Sequence, residues 1–424
     1  MRVLWFSHLV PYPPRTGALL RAYYLLRSVA AHHEVDLVTF VQEPLLATFY
    51  PTLQEGLEDC RRNLNAICGS VTFVPIAKLQ RPLGKALTAA ESLLSKDCYM
   101  ARWLSSAQAL RVLSDLTREH QYDIAHFDHE SLANYRPALG AVPVTLGHHN
   151  AESHMLIRRA ENERTLWRKL YFRHEGKRLA AFERRIAGAF VTHITCSELD
   201  SARLRDVMPH ASFRTIPNGV DIDFFSPAGT PEQRESLIFV ASMNWYPNVD
   251  AVLFLLRDVW PRIKARVPNA TLDIIGSGAP KSVTGLAATL RDVRIRGYVQ
   301  EIRPSLDSAS LYVCTVRDGG GTKLKVLDAF AMSKCVVAHP VSCEGINVTP
   351  GKDVVFANTA DEFAHEVSRL LADPAERARI GNAARKLVVA EYSFAAIGGG
   401  LTRLLEQLAD AHAPQPDAAR HDAA

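Results

Sequence analysis

The amino-acid sequence predicts an α/β protein built from two doubly wound parallel sheets. Short apolar runs alternate with longer segments of helical periodicity, which is the pattern of parallel strands joined by helices. This alternation stops at a polar stretch rich in Pro and Gly, residues 226–235, and then starts again. A length of 424 residues is enough for two or three domains.

In the first half, apolar runs predict strands at residues 3–7, 34–40, 71–76, 123–127, 142–147 and 190–195. Helical spacing of apolar residues is found at residues 18–31, 51–67, 83–95 and 107–120, and in a long region, 152–187, that breaks once. Ligands of doubly wound sheets bind at the carboxyl ends of the strands. The residues that follow each strand are therefore candidates for a site.

After the predicted linker at residues 226–235, strands are predicted at residues 237–241, 271–275, 293–296, 311–316 and 354–357. A helix is predicted over residues 250–266, and three more begin at Asp361, Pro374 and Phe394. We place the N-terminal domain at residues 1–212 and the C-terminal domain at 213–393. Residues 412–424 are rich in Ala, Pro and Asp, which predicts a disordered tail.

The composition is that of a soluble globular protein, with 47% hydrophobic and 22% charged residues. A net charge of +4 is small for this length, and we expect no nucleic-acid partner. No run approaches the ~18 apolar residues of a transmembrane helix, and residues 1–14 resemble a first strand more than a signal peptide. The seven cysteines are scattered without a C-x-x-C pair, which favours buried, reduced thiols and a cytoplasmic location over disulfides or zinc.

The most informative segment is LYVCTVRDGGGTKLKVLDAFAMSKCVVAH, residues 311–339. It predicts a strand, a glycine loop, a helix and another strand. Glycines allow close backbone approach to a ligand, and a helix N-terminus offers unpaired N–H groups. The elements of a nucleoside diphosphate site are Gly319, Gly320 and Gly321, then Thr322 as helix cap, then Lys323, Lys325 and Asp328 on the helix. The alternative is a flexible crossover in a parallel sheet.

Three groups of histidines follow predicted strands of the first half. They are His8, then His126, Asp128 and His129, and then His148, His149 and Asn150 with Glu152 close by. Histidine can bind sugar hydroxyls or exchange protons near neutral pH. Each could equally be a structural histidine, but their shared position predicts that some of them line a polar pocket.

Three other patterns have more than one interpretation. The basic and aromatic segment from Arg158 to Arg185 could lie on an anionic membrane surface or hold an acidic acceptor, or it could be a solvated helix face. Asp221 and Asp223 have metal-ligand spacing, but a turn is favoured, and no cluster predicts a metal site. The I-G-S-G-A-P run at 275–280 lacks the third glycine of a dinucleotide fingerprint.

The chain resembles the retaining glycosyltransferases with the GT-B fold, of the glycosyl-transferase-group-1 type. The resemblance rests on PNGVDIDFF (217–225), FVASMNWYPNVDAV (239–252), RGYVQEIRPSL (296–306) and RDGGGTKLKVLDAFAMSKCVV (317–337). The combination of M-x-W-x-P-N-x-D with GGGTKLK is most similar to sugar transferases of bacterial exopolysaccharide and exosortase (PEP-CTERM) systems.

This resemblance implies two Rossmann-like domains that face each other across a cleft, with the last helix, residues 394–411, crossing back to the N-terminal domain. It also implies a hexosyl transfer from a nucleotide-sugar donor to a glycan or lipid-linked acceptor, with retention and without metal or another cofactor. We expect such an enzyme in the cytoplasm, with contact to the inner face of the membrane as an option.

The resemblance also implies roles for single residues. The loop from Gly319 to Thr322 matches the donor diphosphate loop, and Asp328 matches the ribose-binding second Glu of a paired-glutamate motif. The remaining matches are Tyr298 and Val299 beside the base, Gly17 near donor phosphate and acceptor, His126 near the transferred sugar, and Asp128 where many members have a second histidine; we predict His126 and Asp128 as catalytic. From their position after a strand, His148, His149 and Asn150 are predicted to lie on the acceptor side.

The sequence departs from the family pattern at three positions. Gly320 stands where the first Glu of the motif is expected, and Asp328 is one methylene shorter than the usual second Glu. The Arg and Lys that commonly follow the first strand of the second domain are absent, and Asn244 is found in that segment. We therefore hypothesise that Lys323 or Lys325 stabilises the departing diphosphate. The rival hypotheses are a GT-B protein that binds sugar nucleotide or polysaccharide without transfer, and an epimerase or phosphorylase of the same architecture.

Overall fold

The computed structural model describes residues 1–76, 78, 84–93, 95, 97–163, 165–319 and 321–413. The chain divides into two compact units. Unit 1 comprises Met1–Thr195, Asp200–Ile216 and the chain from Gly398 onward, and unit 2 comprises Cys196–Leu199 and Pro217–Ile397. Each unit contains one parallel sheet covered by helices.

The described strands are β1 (Arg2–Ser7), β2 (Glu34–Val41), β3 (Ser70–Pro75), β4 (Ile124–Phe127), β5 (Val144–Gly147), β6 (Thr192–Thr195), β7 (Phe213–Thr215), β8 (Gln233–Val240), β9 (Thr271–Ile275), β10 (Val293–Gly297), β11 (Ala309–Cys314), β12 (Val336–Ala338) and β13 (Val355–Phe356).

The described α-helices are α1 (Gly17–Ala30), α2 (Glu43–Leu46), α3 (Leu53–Asn65), α4 (Gly84–Leu93), α5 (Tyr99–Trp103), α6 (Ala107–Glu119), α7 (Glu152–Asn162), α8 (Leu166–Ile186), α9 (Glu198–Val207), α10 (Tyr246–Phe254), α11 (Trp260–Arg266), α12 (Lys281–Ala288), α13 (Arg303–Ser308), α14 (Leu324–Ala331), α15 (Ala360–Ala372), α16 (Pro374–Leu387) and α17 (Phe394–His412). A 3₁₀ helix spans Glu130–Leu139, and π-helical turns span Leu255–Val259 and Val388–Tyr392.

The sheet of unit 1 has the strand order β3-β2-β1-β4-β5-β6-β7. All of its pairings are parallel, with Val3 opposite both Val35 and Ile124. The chain order reverses between β1 and β4, and the crevice at such a reversal is where doubly wound sheets bind ligands. His8 and Asp128 directly follow these two strands.

The sheet of unit 2 repeats this plan with the order β10-β9-β8-β11-β12-β13, again all parallel. The reversal lies between β8 and β11, and the glycine loop follows β11. All six residues of β11 are buried, because helices cover both faces of a parallel sheet. The prediction of two Rossmann-like α/β domains is therefore confirmed.

Apolar side chains fill a separate core in each unit. Phe6, Phe40 and Phe127 are fully buried in unit 1, and Phe239 and Phe330 are fully buried in unit 2. The strands supply this apolar content, because their runs of Val, Ile, Leu and Phe have almost no polar interruption. The cores hold the carboxyl ends of the strands, and thus the loops after them, in fixed positions.

Some elements differ from the sequence prediction. The segment 226–235 is not a linker, because it lies in unit 2 and β8 already begins at Gln233. Asp307 Oδ2 accepts hydrogen bonds from the N–H groups of Ala228 (3.1 Å) and Thr230 (2.8 Å), which fixes the segment to unit 2. The helix predicted from residue 250 begins at Tyr246, since Pro247 is well placed in a first turn. The helix at 130–139 was not predicted. Of the predicted tail, residue 412 ends α17, and residues 414–424 lie outside the described range.

The last helix, α17, contributes to unit 1 from Gly398 onward. A Cβ atom on Gly398 would lie 2.4 Å from Ser28 Oγ, so the glycine permits close packing of α17 on α1. Further along, Glu406 Oε1 lies 2.9 Å from His33 Nε2. Within the described part of the chain, none of the helices combines the length and apolar character needed to cross a bilayer.

All seven cysteines lie in the described part of the chain, and they are buried thiols that form no disulfide, as predicted. Burial raises the pKa of the Cys60, Cys68, Cys98 and Cys335 thiols to about 12. Reactivity resides in the thiolate, so these side chains are inert apolar groups in the native state.

Candidate functional site

The loop after β11 in unit 2 adopts a conformation that requires glycine. Gly319 has φ +104° and Gly321 has φ +65°, which is backbone geometry that residues with a Cβ rarely adopt. The amide of Gly319 donates to Asp318 Oδ1 at 2.7 Å, and Asp318 Oδ2 accepts from the hydroxyl of Tyr246 at 3.1 Å. The loop is thereby tied to the start of α10. Gly320, the expected site of the missing Glu, lies outside the described residues.

The side chain of Lys323 holds this loop through hydrogen bonds to its backbone. Its side chain is buried, and Nζ donates to Gly319 O at 3.0 Å and to Gly321 O at 2.9 Å. A peptide unit is planar and trans, so the N–H of Thr322 points away from the ammonium that holds the carbonyl of Gly321. The ammonium therefore leaves this N–H available to an anion. The residue was predicted to contact the donor, and its described contacts are to the loop backbone.

The prediction that Thr322 caps the helix is wrong. The helix α14 begins at Leu324 and its N-cap residue is Lys323, whose side chain makes no capping hydrogen bond. The Oγ1 atom of Thr322 is buried and has no hydrogen-bond partner among the described residues. A buried hydroxyl without a partner is unfavourable, and a ligand oxygen at the loop would satisfy it.

Lys325 lies on the first turn of α14. Its Nζ donates to Asn248 Oδ1 at 2.5 Å, and the Nδ2 of the same amide donates to Ser242 O at 2.7 Å. The ammonium also lies 5.7 Å from the centre of the Phe239 ring. Burial lowers the pKa of Lys325, and the charge of Asp328 opposes this. The side chain joins the first turn of α14 to α10, and Asn248 in turn binds the loop after β8.

Asp328 lies on the second turn of α14, where it was predicted to bind ribose. Burial raises its pKa to about 7, although the charge of Lys325 opposes the change. The carboxyl group thus accepts or donates a hydrogen bond near neutral pH according to its protonation. Either form can bind a ribose hydroxyl, since a hydroxyl both donates and accepts.

A second glycine turn, after β9, lies beside the loop that follows β8. A Cβ atom on Gly276 would be 1.8 Å from Ala241 O, and one on Gly278 would be 2.0 Å from Asn244 Oδ1. These glycines therefore allow close backbone approach and form no dinucleotide fingerprint. Asn244 itself is exposed. After β10, Tyr298 is 77% exposed, and Val299 packs partly against the core.

Unit 1 has its own polar group, centred on the Asp128 carboxylate. Asp128 Oδ2 accepts from Ser7 Oγ at 2.5 Å, and Oδ1 accepts from the backbone N–H of His8 and from its Nδ1, both at 3.0 Å. Burial opposes the charge of Asp128, but His8, His149 and Ser7 together outweigh burial and lower the pKa of the carboxyl. Asp128 is therefore a buried, hydrogen-bonded anion at the reversal of the strand order.

Three imidazoles surround this carboxylate. The rings of His8 and His129 stack at 4.4 Å, and His149 meets both edge-on at 5.2 and 5.3 Å. Burial lowers the pKa of His149 to about 3, so it is neutral at pH 7. The donor atoms of His8, Asp128 and His149 lie within 4.8 Å of one another, a set that could also hold a divalent metal ion. Of the strand-end residues, His126, Asp128 and His149 line one small cavity of unit 1, and the rings of His8 and His129 pack against His149.

His126 and Gly17 are placed differently. His126 is buried inside β4, where its Nδ1 lies 2.8 Å from Thr145 Oγ1 and its ring packs against Trp5. Burial lowers its pKa to about 4. Gly17 is the first residue of α1. Both belong to unit 1, whereas the other predicted donor residues, from Asn244 to Asp328, belong to unit 2.

His148 belongs to a different network, a buried chain of hydrogen bonds between Glu130 and His193. Its Nδ1 lies 3.0 Å from Glu130 Oε2, and its Nε2 lies 2.9 Å from His193 Nδ1. His193 Nε2 must donate to Ala187 O (3.0 Å), because a carbonyl only accepts. His193 Nδ1 therefore accepts from His148, and Glu130 and His148 share one further proton. Burial raises the pKa of Glu130 and lowers that of His148 to about 4, which places this proton on the carboxyl.

The remaining predicted residues have local roles. Asn150 Nδ2 donates to Glu152 Oε1 at 2.9 Å, which orients the carboxylate at the start of α7. Asp221 Oδ1 accepts from the N–H groups of Asp223 (3.1 Å) and Phe224 (2.9 Å), so this pair forms a turn, as favoured from the sequence.

The sequence prediction did not include Ser7, Glu130 or His193. Ser7 is the last residue of β1, at a strand end where a ligand-side polar group could have been expected. Glu130 and His193 gave no such signal, because a glutamate after a strand and a histidine within one are common in structural positions.

The two parallel sheets, each with a polar site at its reversal of strand order, define the GT-B fold of glycosyltransferases. Residues 234–373 match the family model described as "Glycosyl transferases group 1", and residues 92–224 match that described as "Glycosyltransferase Family 4". Fold and matches together relate the chain to the group 1 glycosyltransferases with the GT-B fold.

Individual proteins show the same relationship. A GDP-mannose-dependent monoacylated alpha-(1-6)-phosphatidylinositol monomannoside mannosyltransferase from Corynebacterium glutamicum is 28% identical over 221 residues, which cover 46% of this chain and 57% of that protein. The alignment thus spans little more than half of the relative.

Solved structures share the fold at low identity. Sucrose-phosphate synthase (tll1590) from Thermosynechococcus elongatus superimposes with a TM-score of 0.68 at 16% identity, covering 97% of this chain and all of that one. Anabaena Alr3699/HepE in complex with UDP gives a TM-score of 0.63 at 14% identity, covering 96% of this chain and 100% of that one.

Proposed function

We propose that this protein is a glycosyltransferase that moves a hexosyl group from a nucleotide-sugar donor to a glycan or lipid-linked acceptor. The observation that carries the proposal is the glycine loop at the strand reversal of unit 2. There, Gly319 and Gly321 have positive φ, Lys323 binds the carbonyl of Gly321, and Lys325 and Asp328 follow on α14. The match of residues 234–373 to group 1 glycosyl transferases supports it.

In this proposal the donor binds to unit 2. The diphosphate accepts hydrogen bonds from the N–H of Thr322 and from its unpartnered hydroxyl, at the positive end of α14. The ribose hydroxyls bind Asp328. The base lies near Tyr298 and Val299, where an exposed aromatic ring offers a stacking surface.

Lys325 is proposed to stabilise the leaving diphosphate. During transfer the bond between the anomeric carbon and the phosphate oxygen breaks, the anomeric carbon bonds to the acceptor oxygen, and the acceptor hydroxyl loses its proton. Negative charge develops on the diphosphate, and a fixed ammonium would lower the energy of that state. Lys323 already donates to two carbonyls, which favours Lys325 for this role.

The acceptor is proposed to bind to unit 1. His149 and Asn150 follow β5, and Asp128 with its imidazole neighbours follows β4. The neutral imidazole of His149 and the carboxylate of Asp128 suit sugar hydroxyls, and the carboxylate–imidazole pair of Asp128 and His8 can take up a hydroxyl proton. We propose that His126 shapes this pocket from inside β4.

We further propose that transfer proceeds with retention and without a metal ion, in exopolysaccharide biosynthesis on the cytoplasmic side of the membrane. Retention and the exopolysaccharide role rest on the family resemblance. The mannosyltransferase relative is described as GDP-mannose-dependent and the HepE structure contains UDP, so donors of both bases are candidates.

The test is a panel of UDP-, GDP- and ADP-sugars, scored first by thermal stabilisation, because a ligand that binds the native state raises its apparent stability. The stabilising donor is then incubated with glycan and lipid-linked acceptors, and nucleotide release is measured. Acceptor-dependent release is expected for a transferase. Lys325→Glu should reduce release at least a hundredfold, whereas Lys281→Glu, at an exposed position of α12, should not change it.

Two further measurements address the finer statements. The anomeric configuration of the product, read by NMR, should equal that of the donor. Treatment with a chelator should leave release unchanged. Loss of activity that Mn²⁺ or Zn²⁺ restores would instead assign a metal to His8, Asp128 and His149.

The second candidate is a GT-B protein that binds sugar nucleotide or polysaccharide without transfer. The sequence favours it at one point, since Gly320 stands where the family has a carboxylate. In that case a donor would stabilise the protein, but no acceptor would increase nucleotide release. Release without an acceptor, or interconversion of two sugar nucleotides, would indicate the epimerase alternative.

A further inference from the structure

The first half of α8 is a helix without a buried face. None of residues 166–174 is buried, and the first buried residue of the helix is Glu175. Large apolar side chains are nevertheless concentrated there: Leu166 is 70% exposed, Trp167 66%, Leu170 59% and Tyr171 40%. Soluble proteins seldom expose contiguous large apolar groups without a binding partner.

The four side chains share one side of the helix. At about 100° per residue, they span an arc of roughly 140°, and Arg168 and Lys169 lie on its two flanks. This is the arrangement of an amphipathic helix that lies in a membrane interface, with apolar and aromatic residues on one side and basic residues beside them.

A basic row continues from the apolar arc. Lys169, Arg173 and Lys177 are spaced four residues apart, and they border a groove whose other wall consists of Ile157, Ala160 and one carboxylate, Glu161, of α7. All three are exposed, and none forms an ion pair within the described part of the chain. The groove thus offers three cationic groups next to an apolar floor.

The charge of this region is concentrated. Between residues 158 and 177 the sequence has seven Lys or Arg and three Asp or Glu, a net charge of +4, which equals the net charge of the entire chain. A second copy of the same surface would oppose these charges with like charges. An anionic surface would complement them.

The second half of α8 fixes the position of this tip. Leu179, Phe182 and Ile186 are buried in unit 1, and Gly176 lets α7 approach so closely that a Cβ would lie 2.9 Å from Ile157 Cγ1. The exposed turns are therefore the end of an anchored helix hairpin. Little ordering is needed before it binds a partner.

We propose that the tip of the α7–α8 hairpin docks unit 1 on an anionic lipid bilayer. Leu166, Trp167, Leu170 and Tyr171 enter the boundary between headgroups and acyl chains, where Trp and Tyr are enriched in membrane proteins. Lys169, Arg173 and Lys177 bind the lipid phosphates. This inference is independent of the sugar-transfer proposal, and it brings the protein to the surface where a lipid-linked acceptor would be found.

The experiment uses the full chain without donor or acceptor. Binding is measured by co-sedimentation with phosphatidylcholine vesicles and with vesicles that also contain phosphatidylglycerol, at low and at physiological salt. We expect binding to the anionic vesicles only, weakened by salt, together with a blue shift of tryptophan emission that Trp167→Phe removes.

Two variants separate the two contributions. The triple variant Lys169→Gln, Arg173→Gln and Lys177→Gln should weaken binding by about fivefold per charge, or roughly a hundredfold in total. Trp167→Ser with Leu170→Ser should abolish the emission shift and reduce binding at least tenfold. Leu110→Ser, a similarly exposed leucine on α6, is the matched control and should bind like the wild type.

Three outcomes would overturn the proposal. One is equal binding to neutral and anionic vesicles, and another is binding that both variants leave unchanged. The third is a concentration-dependent dimer that Trp167→Ser dissociates, with no binding to vesicles, since the patch would then be an interface between two copies. Because vesicle binding and nucleotide release are measured separately, failure of one proposal is distinguishable from failure of the other.

Discussion

Replacing Asp328 by asparagine should make the stability of unit 2 less dependent on pH. The ordinary aspartate pKa of 3.8 is raised to about 7 in the native state, chiefly by burial. A group with a raised native pKa contributes stability that is fully present below its unfolded pKa and is lost as pH rises through the native value. At about 1.4 kcal/mol for each pKa unit of difference, the carboxyl accounts for a loss of about 4 kcal/mol between roughly pH 4 and pH 8.

The asparagine side chain does not titrate in this range, so the variant should lack this loss. We expect it to be less stable than, or similar to, the wild type near pH 4, and more stable by up to about 4 kcal/mol near pH 8. The measurement is urea unfolding at several pH values, followed by hydrogen exchange of peptides from β11 and β12. Peptide-level detection is needed because two units need not unfold together. Asp410→Asn on the exposed side of α17 is the control.

The reasoning would be refuted if the wild type and Asp328→Asn differed by the same free energy at every pH. That result would mean that the carboxyl remains ionised at neutral pH, with Lys325 stabilising its charge more than burial opposes it. The same pH series with bound donor is informative, because a carboxyl that holds ribose should show a smaller loss when the nucleotide is present.

Three more predictions test other contacts. Lys323→Met removes the ammonium from two carbonyls, and hydrogen bonds to charged groups contribute about 1.5–3 kcal/mol each. We expect the free energy of unfolding of unit 2, measured in urea, to fall by about 2 kcal/mol or more, and donor binding to weaken. An unchanged stability together with unchanged donor binding would contradict the role of the lysine. Glu130→Gln supplies a permanent N–H to His148, so the free energy of unfolding of unit 1 should change by less than about 1 kcal/mol near neutral pH. The raised pKa of Glu130 gives stability that is present at low pH and lost at high pH, so the variant should lose less stability as pH rises. Thermal unfolding at several pH values measures this, and a pH dependence equal to that of the wild type would disprove it. Gly381→Ala places a Cβ 2.0 Å from Ser333 O and should lower the free energy of unfolding by about 1–3 kcal/mol. Gly285→Ala, in an open part of α12, should leave it unchanged or raise it by up to about 1 kcal/mol. Equal effects of the two changes in urea unfolding would show that the structure around Gly381 relaxes freely.

The fold was largely predictable because its signal is local. The central parallel strands, such as β1 and β11, are buried on both faces, so each leaves a short apolar run in the sequence, and the loops after the strands are polar. The predicted boundaries of segments were wrong where the local sequence pattern was ambiguous. The segment 226–235 has a linker's composition, yet the carboxylate of Asp307, more than 70 residues away, pairs with its backbone.

The glycine loop was predictable as a feature, but the roles of its neighbours were not. Gly319 and Gly321 are identifiable as glycines that a close backbone approach requires. Whether Thr322 or Lys323 precedes the helix, and whether the Lys323 ammonium points toward the ligand or toward the loop carbonyls, depends on the φ and ψ angles of a few residues. No periodicity in the sequence encodes these angles.

The histidines show the same limit. His148 and His149 are adjacent, and they serve different networks because successive side chains at the end of a strand point in opposite directions. His148 meets His193 of β6, and His149 meets His8, which directly follows β1. A sequence can place both at the sheet edge, but only the strand order decides which neighbour each one has.

The buried cysteines give each unit an internal reporter of unfolding. Cys60, Cys68 and Cys98 belong to unit 1, and Cys314, Cys335 and Cys343 belong to unit 2. A thiol reagent should label none of them in the native protein, and a short pulse during denaturation should label each set when its own core opens. Mass spectrometry of the labelled peptides would then yield two separate unfolding curves from one untagged, unmutated chain. Added donor should protect the second set of thiols and leave the first unchanged.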